Sequence, residues 1–72
     1  MSHPTNDLRE AAMVISDLLA VVLIQRGKPD THYVWEQDAI RWLTGQLERD
    51  PGTGLNPWTA GYLRLMQDRE AS

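Results

Sequence analysis

The stretch Asp7–Arg26, DLREAAMVISDLLAVVLIQR, limits what this chain can fold into more than any other. Both of its ends carry helix punctuation. Asp7 and Glu10 are spaced like a capping box with Asp in place of Ser or Thr, and Thr5 and Asn6 are also good caps. Gly27 stands where a C′ glycine would, with Pro29 just beyond. Between these ends, Ala11 to Ile24 is a 14-residue apolar run broken only by Ser16 and Asp17. A spanning helix needs about 20 apolar residues. The run is therefore too short to cross a bilayer and too apolar for a helix with one buried face.

Projected at about 100° per residue, the helix shows two apolar stripes. Leu8, Ala11, Ala12, Ile15, Leu18, Leu19, Val22 and Leu23 form a broad principal face, expected to be the core. Met13, Val14, Ala20, Val21 and Ile24 form a second stripe, shared with Glu10 and Asp17. The principal face can be covered by the rest of a small chain. The second stripe is expected to meet its own copy across a two-fold axis, with Met13, Val14, Asp17, Ala20, Val21 and Ile24 in the interface. An exposed Asp17 would only keep that side soluble. In a dimer seam it would need an arginine such as Arg9 or Arg41, because an unpaired buried carboxylate is costly.

Size supports the same expectation. A 72-residue chain buries only about 60% of its unfolded surface, and chains of this length usually need a disulfide, a metal or a second subunit. With no cysteine, disulfides and thiolate zinc sites are excluded. That leaves a homodimer as the default, and the second stripe makes it an obligate or near-obligate one.

Lys28 to His32 is a connection, with Pro29 and Asp30 as turn residues. THYVW has strand-favouring composition, but no second strand is available to pair with it, so a helix from about Tyr33 to Arg49 is expected. Its core face is Ala39, Ile40, Leu43 and Leu47, with Tyr33 at its start. Trp35 and Trp42, one heptad apart, fall about 100° from that face on the side of Asp38 and Arg49, where a core or dimer role covering the second stripe of the first helix is favoured over binding another protein. The segment DPGTGL breaks the helix, and Asn56-Pro57 starts another with Asn as N-cap, Pro at N1 and a possible Leu55–Ala60 staple. Trp58, Tyr62, Leu65 and Met66 share its apolar face, with Leu63 beside them. Gly61 in this helix suggests close approach of a neighbouring backbone.

The chemistry-bearing residues are few. The histidines are His3, in an expected tail, and His32, in a connector, so no nucleophile, base and acid come together. His32 and Glu36 have i, i+4 spacing but fall well short of a metal shell, and read as a solvated helix start. PGTG lacks the Lys-Ser/Thr ending of a phosphate loop and follows a helix, so it reads as a flexible interhelical turn. Neither a cofactor nor a metal is expected. The formal charge of −3, with Arg and Lys interleaved among acids, argues against nucleic acid. A helix-turn-helix would also use a shorter connection than the one before Asn56. The start of the chain is polar and no small-residue cleavage site follows the apolar run, so the cytoplasm is the expected location.

The expected fold is all-α: helices over about 7–26, 33–49 and 57–68, a helical hairpin plus a short closing helix, in a homodimeric bundle. Residues 1–6 would be a flexible tail and 7–70 one small domain. The expected function is that of a non-enzymatic interaction protein that modulates or inhibits a larger protein partner. Its docking surface would be Trp35, Trp42, Trp58 and Tyr62, rimmed by Asp38 and Arg41, since Trp and Tyr dominate interface hot spots. A small dimeric DNA-contacting regulator and a structural subunit of a larger assembly are the alternatives.

Overall fold

A computed structural model describes residues 4–27 and 31–71. Among them the chain forms three helices and no strand: α1 (Pro4–Gln25), α2 (Val34–Arg49) and α3 (Pro57–Ala71). The helix α1 is the common partner against which both others pack. It runs antiparallel to α2: Arg26, just past its C-terminus, pairs with Glu36 in the first turn of α2, while Arg9 reaches Asp50 after α2's last turn. No described helix is long and apolar enough to cross a membrane.

The first helix starts earlier than its capping signals indicate. Pro4 opens it, so within the expected tail at 1–6, residues 4–6 are helical and residues 1–3 lie outside the described residues. The physical reason is that proline disfavours helix in the residue before it, whereas the proline itself suits the first helical position. Asp7 and Glu10 consequently lie inside the first turns. At the other end Gly27 adopts φ +72°, the left-handed C′ conformation, and its N–H donates to the Ile24 carbonyl (3.1 Å). Tyr33 is extended (φ −65°, ψ 159°) and precedes α2, whose first turn is stapled back when the Tyr33 N–H donates to Glu36 Oε1 (2.8 Å).

The core is Ala12, Leu19, Leu23, Leu43 and Leu63, with Ile15, Ala39, Ile40, Trp42, Leu47, Leu55, Trp58 and Tyr62 partly buried around it. Several polar side chains are equally buried: Ser16, Glu36, Gln46, Thr53 and Thr59. Most belong to a bonded frame. Thr59 Oγ1 donates to the Ser16 carbonyl (2.6 Å), and Ser16 Oγ donates to the Met13 carbonyl (2.8 Å) while accepting from the Asn56 N–H (2.9 Å). The Asn56 side chain caps α3, accepting from the N–H groups of Trp58 (2.9 Å) and Thr59 (3.4 Å), and its amide donates to Asp17 Oδ1 (2.9 Å). In the 50–56 connection, Thr53 N–H donates to the Asp50 carbonyl (3.0 Å) and Gln46 Nε2 to Thr53 Oγ1 (3.2 Å). The loop read as a flexible turn is thus pinned from both sides.

This frame corrects the expected faces. Ser16 sits inside the core, and α1 is rotated by roughly 70° from its apolar mean direction, on 100° per residue. Ala20, expected in the exposed second stripe, is 3% exposed and belongs to the core; Leu18, expected in the core, is 60% exposed. On the other helices Tyr33 and Leu65 are exposed instead of packed, and Thr59 takes the buried position on α3. Gly61 faces open space, since a Cβ there would meet nothing within 4 Å, so no backbone approaches it.

Candidate interaction surface

Rotation of α1 leaves a row of apolar side chains on its solvent side. Val14 (57% exposed), Leu18 (60%) and Val21 (53%) follow i, i+4, i+7 spacing, with half-buried Ala11 one step before them and Ile24 (54%) beside them. Ala11, Val14, Leu18, Val21 and Gln25 make an alternating 3-4 repeat, the spacing of a helix–helix seam. Met13, 42% exposed, lies toward the 50–56 connection, its terminal methyl 3.6 Å from where a Gly54 Cβ would stand. Asp17 is exposed at the edge of the row and is held by the Asn56 amide instead of by Arg9 or Arg41. Arg9 is engaged with Asp50, its Nε 2.7 Å and its Nη2 2.8 Å from the two carboxylate oxygens. That guanidinium holds the Asp50 carboxyl below the usual carboxylate range.

The expected aromatic surface does not form as one patch. Trp35 is 48% exposed, next to Tyr33 (60%) and Val34 (74%), so three consecutive large side chains project at the start of α2. Trp42, on the same side of α2, is half-buried against the core. Asp38 is exposed on that side as well. Arg41 lies elsewhere: it lines a groove of about 500 Å³ between α2 and α3, with His32, Gln37, Thr44, Glu48 and Met66. Trp58 and Tyr62 stack on each other within α3, centroids 5.2 Å apart at 11°. Tyr62 also shares a 2.7 Å hydrogen bond with His32 Nε2. These two rings border a shallow hollow with Pro57, Gly61 and Leu65.

The His32–Glu36 pair is a second correction. Glu36 is fully buried instead of solvated, and it is ion-paired with Arg26. The hydrogen bond from Arg26 is the largest influence holding its carboxyl below the ordinary value; burial opposes this, and the Tyr33 N–H adds to it. Arg26 also donates to the Thr31 carbonyl (3.3 Å) and lies over the Tyr33 ring, 4.2 Å from its centroid. His32 turns to Tyr62, so the two residues do not converge on one point. Among the described residues no three of His, Cys, Asp and Glu are placed to hold a metal ion.

Sequence reasoning missed Leu18 as a surface residue and Glu36 as a buried one. For Glu36 a signal existed: it stands three residues after Tyr33, the capping-box spacing, with Arg26 the nearest preceding cation but one. Compared with protein-family models, curated proteins and solved structures, the chain shows no match.

Proposed function

We propose that the chain is a non-enzymatic protein-interaction module that works as a homodimer through α1 and docks a larger protein partner through the side of α2 that carries Trp35. The observation that carries the reading is the row Val14, Leu18, Val21 and Ile24, each more than half exposed on the central helix. Scattered apolar residues on a surface are ordinary, but an aligned row marks a contact site. The exposed run Tyr33-Val34-Trp35, near the Asp38 carboxylate, supports the second contact.

The strength of the dimer can be bounded. Full burial of such a side chain is worth about 1.5–3 kcal/mol, so covering the exposed half yields about 1 kcal/mol each. Eight such side chains across two copies give about 8 kcal/mol, against an association cost of about 4–15 kcal/mol. The dimer is therefore weak and concentration-dependent. Sedimentation equilibrium over a wide concentration series tests this. The average mass rises from monomer toward dimer for the native chain, and Val21→Glu stays monomeric with unchanged helicity. A native chain that remains monomeric at the highest concentrations overturns the reading.

A further inference from the structure

We infer that two copies pair through α1 in antiparallel orientation, with the two-fold axis close to Leu18. The inference rests on the dimer reading above and adds a geometry to it. Charge along the row supplies the argument. Of the exposed acids of α1, Asp7 and Glu10 lie in its N-terminal turns, and Asp17 lies past its midpoint, next to Leu18. From Leu18 to Pro29 the sequence holds no acid, and its only charged residues are Arg26, already paired with Glu36, and Lys28.

A parallel pair would bring Asp7 and Glu10 of both copies to the same end. Asp7, which continues the 3-4 seam one step before Ala11, would face its own copy directly. Arg9 gives no relief there, because it is bound to Asp50. An antiparallel pair instead sets Asp7 and Glu10 of each helix beside the end of its partner that carries no acid, while the two Asp17 carboxylates come near each other on the flank of the seam, where each is exposed and held by the Asn56 amide of its own chain. It also opposes the two helix dipoles, which a parallel pair would align. The apolar seam tolerates the reversal, since the 3-4 spacing of Ala11, Val14, Leu18, Val21 and Gln25 reads similarly in both directions about Leu18.

The absence of native cysteine makes cross-linking a direct test. Ala11→Cys and Gln25→Cys chains are treated, separately and mixed, with a bis-maleimide matched to the roughly 10 Å between packed helix axes. In the antiparallel pair a position 11 lies beside a partner position 25. Identical positions then stand about 21 Å apart along the axis, at 1.5 Å per residue. The expected result is a cross-linked dimer in the mixture and none from either variant alone. Cross-linking of each variant with itself means a parallel pair and overturns the inference. No cross-link in a native-mass dimer means another surface is used, which overturns it too. Glu10→Cys, at an exposed position, replaces Ala11→Cys where the latter loses cooperative melting. Failure of the dimer reading shows separately, as monomer mass for the native chain in sedimentation.

Discussion

Leu18 and Leu19 are neighbours in sequence and opposites in the structure, which makes them the most discriminating pair to truncate. Leu19 has no exposed surface, whereas Leu18 is 60% exposed. Leu19→Ala removes buried methyl groups and leaves a cavity, a change that costs about 2–5 kcal/mol. A 72-residue domain has about 4–11 kcal/mol in total, at about 0.05–0.15 per residue. The variant therefore loses a large part of its stability, and its melting temperature falls by at least about 8 °C at about 4–8 °C per kcal/mol. For Leu18 the remaining 40% of burial is worth only about 0.6–1.2 kcal/mol of the 1.5–3 for full burial. Alanine's better helix propensity offsets a few tenths of that. The assay is thermal and urea unfolding followed by far-ultraviolet circular dichroism and tryptophan fluorescence, in dilute solution where the monomer dominates. On the proposed pairing through α1, the native chain should gain stability at high concentration, and Leu18→Ala should lose that gain. Equal losses for the two variants in dilute solution would refute the rotation of α1 described above.

Two further outcomes follow from the geometry. Gly61→Ala should raise stability by about 0.5–1 kcal/mol, because the helix gains propensity and the new Cβ meets no neighbour within 4 Å; a fall in melting temperature would refute this. Arg26 holds the Glu36 carboxyl below its ordinary value, so the pair's contribution is complete above about pH 4.3, the unfolded value, and is lost as pH falls through the folded one. Glu36→Gln should therefore melt below the native chain at neutral pH, with the gap narrowing under acid, and a gap that stays constant down to pH about 3 would refute the assignment.

The number and order of the helices, the end of α1 and the start of α3 were legible because local signals set them. Gly27, Asn56 and Pro57 act within one turn of their own positions, and each does what its chemistry dictates. The start of α1 was misplaced because three cap-forming residues in a row, Thr5, Asn6 and Asp7, drew the start past Pro4, whose fixed φ suits the first helical position. Side-chain placement was less legible where the partner lies far along the chain. Ser16 reads locally as a break in an apolar run, and nothing near it announces that Thr59 and Asn56 will satisfy it. Glu36 reads as a surface acid until Arg26 is brought across from the end of α1. The same long-range contacts separated Trp58 and Tyr62 from Trp35, so aromatic residues expected on one surface fall on different parts of the fold.

The buried polar frame also explains why an apolar row remains outside. Hydrophobic burial alone would turn α1 so that its broad face, centred between Leu8, Ile15 and Leu19, looks inward. Burial of apolar surface is non-directional, and a rotation of the helix trades one leucine for another at small net cost. A hydrogen bond is directional, and a buried polar group left without one costs about 1–3 kcal/mol. Ser16, Thr59 and the Asn56 N–H satisfy one another in only one rotational setting of α1 against α3, and that setting exposes Leu18. Ser16→Ala alone leaves the Asn56 N–H without its acceptor but keeps the Thr59 bond to the residue-16 carbonyl, so it takes Ser16→Ala together with Thr59→Val to free α1 to turn, and in that double variant Leu18 should become less accessible as self-association in sedimentation weakens. The surface proposed for contact is therefore a consequence of the polar core, and the two should respond together.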